Sequence, residues 1–536
     1  MNERRILKNK VFLYLTEFFA GMSVMAVEIG AQRLLAPYFS SSQIVWTIVI
    51  GSIMIAMALG NIYGGRRADK DPNPDKLYLR IIISGAWLAL IPFLGKYIIA
   101  GVSALLIFAV HKGFLIVAST VSCLLLFIFP LFLLGTTTPC LAKYCTQSLD
   151  ESGKTVGYLN AFNTIGSIIG TFTPTFITIP TIGTNWTFLI FAIILLTLSA
   201  VYFISSKIFK PRVVVGAVIL IIGIIFGHSS HFAFWNDDLL FEGESIYNYL
   251  QVYEDDDETS LSTNVLFGVQ SVYFKEKKLH KTYYYDYDLA ALLMANYQEK
   301  EEINVLILGM GSGTYAKQIE RYFDNVKITG VEIDEAITKL AKTYFNQSED
   351  IMVYTYDGRA YLNASKEKYD VIMVDAYQDI TIPFQMSSIE FFTLVKEHLT
   401  DDGVMVTNLN MRSDEAKNIN YYLCDTISSV FDYNYYVNVS SSTNRELFSS
   451  NNKEMLNNLN KYIDDNKTEE LAIFLERYVN SFLTEYNPGD LLLTDDRAPV
   501  ELLGISVIDS LIDNSASYYR KIFKEKGLKG LLEYLQ

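Results

Sequence analysis

Val305-Leu306-Ile307-Leu308-Gly309-Met310-Gly311-Ser312-Gly313 is the stretch on which the fold turns. A short apolar run that breaks into three alternating glycines ahead of a helix-forming segment reads as a buried parallel strand turning tightly into a helix. Glycine lets the backbone come within contact distance of a ligand where a Cβ would clash, and the helix start leaves free N–H donors aimed at that ligand. Such a turn suits a nucleotide. The next strand, 326–331, delivers Glu332-Ile333-Asp334 about 20 residues past the glycines, where this architecture sets a carboxylate on ribose hydroxyls. Another unit ends at Tyr356-Asp357-Gly358-Arg359, and the strand 369–374 delivers Asp375-Ala376-Tyr377-Gln378-Asp379. Three successive strands therefore end in acids, on the rim where open α/β sheets bind ligands.

Around this core, helical patterns at 316–322, 335–344 and 388–399 alternate with strands between 302 and 408, which predicts βαβ units and a parallel sheet. Thr400-Asp401-Asp402-Gly403 reads as a tight turn into a strand at 404–406. Residues 438–460, rich in Asn and Ser, read as loop and solvated helix, and the chain from Asp509 onward as an amphipathic helix. Upstream, short β-branched and aromatic runs at 246–253, 262–265 and 269–274 predict a small antiparallel β-element.

The N-terminal part has another solvent. Residues 1–230 hold 17 Lys+Arg against 8 Asp+Glu, and the remainder 27 against 51, so a net of +9 and a net of −24 give the overall −15. The first apolar run follows Arg4, Arg5, Lys8 and Lys10 and outlasts a signal peptide, and further runs at 45–63, 80–101, 113–137, 157–180, 185–206 and 213–227 predict about seven membrane helices. Glu28 and Arg33 lie inside the first run, where charges pair or face a polar cavity. Gly60, Gly64 and Gly65 suggest close helix packing, and Gly135 to Pro139 and Pro174 to Pro180 suggest broken helix ends. The acidic remainder excludes nucleic acid as a partner, because a polyanion is repelled. Four scattered cysteines and five histidines give neither a disulfide framework nor a metal site.

The series GMGSG, VEID, YDGR and YDVIMVDAYQD, followed by Ile382-Pro383-Phe384-Gln385 and Glu390-Phe391-Phe392, resembles the spermidine synthase family, and more narrowly its membrane-fused members. The likeness spans residues 240–410, and the tail from Leu493 to Glu501 extends it. It implies a polytopic helical membrane domain (1–230), a small β-element (231–298) and a Rossmann-like, methyltransferase-type doubly wound sheet (299–536). By resemblance Asp375 is the catalytic base, and Asp379 and Gln378 belong to an amine-binding loop. Gln270 lies beside the donor and Tyr285 near the substrates. Gly309, Gly311, Gly313, Glu332, Asp357 and Gly358 hold the adenosyl group, with Glu332 on ribose and Asp357 on the adenine amino group. The sequence departs from the pattern in two places. The family's two acids stand three apart with a proline after the second, whereas Asp375 and Asp379 are four apart and Ile380 follows. Ser312 replaces the usual acid or glycine of the turn.

The implied reaction is aminopropyl transfer from decarboxylated S-adenosylmethionine to a polyamine such as putrescine, with the donor a co-substrate, no permanent cofactor and no metal. The partners are a small amine and the lipid bilayer, and there is room for a homodimer. Two other readings stand beside it: an S-adenosylmethionine-dependent methyltransferase or other user of that donor, and a non-enzymatic transporter or sensor with a degenerate synthase domain. Clusters of Lys and Arg at the N-terminus, 66–80, 143–154 and 207–212 would, with seven spans, set everything after Gly227 outside the cell. The donor is made in the cytoplasm, so the α/β domain is expected there, with an extra short crossing inside 79–111.

Overall fold

A computed structural model describes residues 6, 9–146, 152–207, 211–229, 231–236, 238–265, 269–376, 382–410, 412 and 417–535. The chain divides into two compact units: Met1–Trp235 with Glu242–Tyr249 and Asn264–Leu266, and Asn236–Phe241 with Leu250–Thr263 and Phe267–Gln536.

The first unit is helical. Five helices are long and apolar enough to cross a membrane: Lys10–Phe39, Gln43–Lys70, Pro74–Leu106, Phe114–Cys145 and Ser152–Ser205, followed by the shorter Pro211–Gly227. Local chemistry sets their starts. The Asn9 side chain accepts from Val11 N, Ser42 from Val45 N, and Asn73 from Asp75 N just ahead of a first-turn proline. The segments at 157–180 and 185–206 run together as one 54-residue stretch, with a π turn at Pro174–Thr178 and a kink at Gly183, whose φ is +83°. A second π turn, Leu124–Ile128, and an interruption at Thr136 divide Phe114–Cys145. Glycines bring backbones into contact, as expected for Gly60 and Gly64: an added Cβ would stand 2.3 Å from Phe132 O and 2.7 Å from Thr136 Cα. Arg33 donates to the carbonyls of Ser245 and Ile246.

One expectation is corrected here. No extra crossing hides in 79–111, because Pro74–Leu106 is a single 33-residue helix. At ~1.5 Å per residue it is ~50 Å long, enough for one tilted passage through a ~30 Å hydrocarbon layer and too short for two.

After the helices comes an antiparallel sheet of four strands in the order β1-β2-β3-β4: β1 (Leu239–Glu244), β2 (Tyr249–Glu254), β3 (Glu258–Ser262) and β4 (Ser271–Phe274). Eight further strands follow: β5 (Ile303–Leu308), β6 (Val326–Glu332), β7 (Met352–Thr355), β8 (Tyr369–Val374), β9 (Leu399–Leu409), β10 (Tyr433–Asn438), β11 (Arg445–Ser450) and β12 (Thr484–Glu485). They form one sheet in the order β12-β10-β11-β9-β8-β5-β6-β7. β7, β6, β5, β8 and β9 are parallel, and β11 returns antiparallel beside β9. This is a Rossmann-like sheet of the methyltransferase type. Strand order reverses between β5 and β8, which opens a crevice at their carboxyl ends. β5 and β8 read as near-continuous apolar runs because both faces are covered.

Two expectations changed. The predicted turn at 400–403 is absorbed into β9 as an irregularity in its pairing with β8. The stretch 438–460 holds β11 and the helix Met455–Asp465, and β11 pairs with β10 as a hairpin. A strand forms there because Leu447 and Phe448 are buried, Phe448 opposite Val406, although β11 itself has no β-branched residue.

Candidate active site

At the carboxyl end of β5 the backbone folds back on its neighbours. Gly309 N and Met310 N donate to Val331 O at 2.9 and 3.1 Å, and Asp375 N donates to Leu308 O at 2.9 Å. Gly309 (φ +88°) and Gly311 (φ +54°) adopt left-handed backbone, and a Cβ on Gly309 would stand 2.4 Å from the Asp375 carbonyl oxygen. Only glycine fits that crossing. Gly313, also left-handed, immediately precedes the helix Thr314–Tyr322.

Glu332 ends β6. Its Oε2 accepts Gly311 N at 3.0 Å and its Oε1 accepts Asp334 N at 3.0 Å, so this carboxylate ties the glycine turn to the next helix start. Burial still dominates its titration and lifts it to about 7. Asp357 ends the β7 unit and caps the helix Gly358–Ala364 through Ala360 N at 2.8 Å, with Gly358 as the first helical residue.

Asp375, at the end of β8, receives Tyr284 OH at 2.8 Å on Oδ2 and Asn408 Nδ2 at 2.9 Å on Oδ1. Tyr285 OH, close by, also favours the charged carboxyl. Burial raises Asp375 to about 7; the hydrogen bonds of Asn408, Tyr284 and Tyr285 pull the other way, and the charge of Glu332 adds to the rise. The carboxyl is thus set to exchange a proton near neutrality. Tyr285 is nearly fully buried among Tyr283, Tyr284 and Tyr315, so it packs the site as well as touching it.

Gln270 directly precedes β4, with its N–H on Leu261 O. The neighbouring Ser271 Oγ lies 3.4 Å from Ser312 N and 3.5 Å from Tyr285 OH, so this end of β4 rests on the glycine turn. Ser312, at the departure from the family pattern, bonds Thr314 Oγ1 at 2.8 Å. The structure therefore brings together Gly309, Gly311, Gly313, Glu332, Tyr285 and Asp375, with Gln270 beside them and Asp357 at the end of the neighbouring β7. Gln378 and Asp379 lie outside the described residues.

Sequence reasoning missed Tyr284, Asn408 and Ser271, and it missed a second layer behind Asp375. Asp288 and Glu446, both completely buried, lie against each other across the helix Tyr284–Asp288 and β11. Burial first, then the neighbouring carboxyl charges, hold both well above the usual carboxylate range. A tyrosine-rich run and an Asn at the end of a parallel strand were the only sequence signals available.

Adjacent to this rim, Arg359 forms a two-pronged ion pair with Asp495, both contacts at 2.7 Å, and also donates to Gln385 O. Ser388 Oγ donates to the same Asp495 at 2.5 Å. The tail motif thereby fastens the segment that follows residue 381.

Glycine turn, strand-end acids and switch point together define a Rossmann-like α/β fold of the methyltransferase type, with a ligand crevice at the strand ends. The Spermine/spermidine synthase domain family matches residues 284–461. A probable polyamine aminopropyl transferase of Bifidobacterium longum is 49% identical over 352 residues, covering 63% of this chain and 78% of the relative. A polyamine aminopropyltransferase of Vibrio vulnificus is 27% identical over 308 residues, covering 54% and 99%. Among solved structures, a probable spermidine synthase from Corynebacterium glutamicum aligns with a TM-score of 0.35 at 15% identity, over 47% of this chain and 97% of that one. The chain belongs to the polyamine aminopropyltransferase family, a family of transferases.

Proposed function

We propose that the chain is a membrane-bound aminopropyltransferase that moves an aminopropyl group from decarboxylated S-adenosylmethionine to a polyamine such as putrescine, releasing methylthioadenosine. The observation that carries this reading is the Asp375 carboxyl. It is buried at the switch point, held by Tyr284 and Asn408, and titrates near 7 beside the glycine turn.

Amines near pH 7 are cations without a lone pair, so one proton must leave before attack. In this mechanism Asp375 takes that proton. The freed nitrogen attacks the propyl carbon bonded to the sulfonium, a C–N bond forms, and the C–S pair returns to sulfur as neutral methylthioadenosine. Glu332 spends one lone pair of each oxygen on a backbone N–H and keeps others for ribose hydroxyls. Asp357 and Gly358 lie where the adenine edge would rest, and Gln270 and Tyr285 flank the reacting end. Gln378 and Asp379 would hold the far ammonium.

The test is release of methylthioadenosine by the detergent-purified full chain supplied with putrescine and either donor. Turnover with the decarboxylated donor, reduced at least about 100-fold in Asp375→Asn with donor affinity little changed, is the expected result. Methyl transfer from the carboxylated donor, or full activity in Asp375→Asn, would overturn it.

A further inference from the structure

The helical unit contains a buried carboxylate of its own. Glu17 lies in Lys10–Phe39, ~10 Å along the axis from the helix start, and is completely buried. Its Oε1 accepts Thr138 Oγ1 at 2.5 Å and Asn163 Nδ2 at 2.7 Å. Its Oε2, equally buried, meets no donor among the described residues. An ionisable side chain at this depth is costly unless it serves a ligand or a path.

A second observation marks the same place. The helix that supplies Thr138 is interrupted at Thr136, and the buried hydroxyl of Thr137 is also without a partner among the described residues. Irregular backbone inside a membrane bundle is tolerated where it lines a cavity or is buried in protein. The opposite wall is rigid. A Cβ on Gly21 would stand 2.6 Å from Asn163 O, and one on Gly166 2.0 Å from Phe18 O, so Ser152–Thr173 is pressed onto Lys10–Phe39 and Asn163 is fixed in place. Next to Glu17, Thr16 Oγ1 meets Tyr78 OH at 3.0 Å, Tyr78 stacks on Tyr202 at 3.9 Å, and Tyr202 OH reaches Asp75 Oδ1 at 2.7 Å. Asp75 sits in the first turn of Pro74–Leu106. This chain of polar and aromatic groups runs from a helix end to Thr16, the residue before Glu17.

We propose that the helical unit is a cation-translocating module in which Glu17, with Thr138 and Asn163, receives a primary ammonium group of an aliphatic amine. A single carboxylate with hydroxyl and amide neighbours matches one positive charge, and no group of three or more His, Cys, Asp or Glu able to hold a metal occurs among the described residues. The inference rests on the membrane-bound polyamine enzyme proposed above, because a polycation handled by the second unit cannot cross a bilayer unaided.

The test uses the full chain, in detergent for equilibrium binding of labelled putrescine and in liposomes for its uptake. Two putrescine sites per chain are expected. Glu17→Gln should remove one site and the uptake while leaving thermal melting and methylthioadenosine release unchanged. Thr138→Val, which keeps the carboxylate, should weaken that site about tenfold, one lost hydrogen bond to a charged group. Asp69→Asn, an exposed partner of Lys143, should change neither. If turnover is absent but one Glu17-dependent site remains, the proposed reaction fails and this inference stands. A folded Glu17→Gln protein that keeps both sites, or Glu17-dependent uptake of labelled sodium in place of putrescine, would overturn it.

Discussion

Asp375 shows how burial and hydrogen bonding compete at one residue. Burial favours the neutral acid, whereas Asn408 and the two tyrosines favour the carboxylate, and the balance falls at about 7. If Asp375 is the base, kcat/KM should drop tenfold per pH unit below about 7. The limb seen in kcat should lie lower, because bound cationic substrates stabilise the carboxylate. Asn408→Ala removes a donor to the charged form and should move the kcat/KM limb upward, a displacement that a merely structural role for Asn408 would not produce. The acid itself was legible in the sequence because strand ends are legible. Its partners were not: Tyr284 is 91 residues upstream and Asn408 is 33 downstream, and only the sheet order brings them together. Glu17 escaped notice for a related reason, since its partners Thr138 and Asn163 lie on other helices of an apolar bundle.

At the scale of elements, apolar runs followed by glycine or acid gave β5, β6 and β8 with their helices, because both faces of a parallel sheet demand such runs. The β10–β11 hairpin carried no such mark. Arg445-Glu446-Leu447-Phe448 has an ionisable side chain at a fully buried position, and burial with the neighbouring Asp288, from a helix far earlier in the chain, holds Glu446 well above the usual carboxylate range. The clamp of Arg359 on Asp495 and Ser388 links three elements at the rim of the site. The ion pair is part-exposed and worth ~1 kcal/mol at most. Its removal in Arg359→Ala should leave the fold intact and raise the acceptor KM about fivefold with a smaller effect on kcat, as steady-state kinetics would show; an unchanged KM would disconnect the clamp from the amine.

Across the whole molecule, charge and hydropathy separate two units along the sequence, and the physical balance of each follows its solvent. In the α/β unit Asp286, Glu332 and Asp375 all titrate at about 7, each chiefly through burial. Their folded values exceed the unfolded ones, so the stability they lend is complete below about pH 4 and is lost as pH rises through about 7. Thermal melting should therefore occur several degrees lower at pH 8 than at pH 5, and Asp375→Asn should flatten the dependence. In the helical unit, Ser152–Ser205 is ~80 Å long and kinked at Gly183, long enough for two passages; if the four other long helices and the shorter Pro211–Gly227 each cross once, the total among the described residues would be seven. The basic stretches 66–80, 143–154 and 207–212 fall between the second and third, fourth and fifth, and sixth and seventh passages, all on one face. On the opposite face Tyr38 OH donates to Phe232 O and Asn185 Nδ2 to Ser229 O, which ties the first helix end and the kink to the chain leaving Pro211–Gly227. The charge rule taken alone would put the acidic α/β unit outside, against the cytoplasmic side on which the donor of the proposed reaction is made. The four native cysteines are buried, so Lys453→Cys, at a well-exposed position, gives a clean probe. An impermeant maleimide should label it only after lysis, the α/β unit then sharing the compartment in which its sulfonium donor is made; labelling on intact cells would follow the charge rule and leave the proposed transferase without its donor.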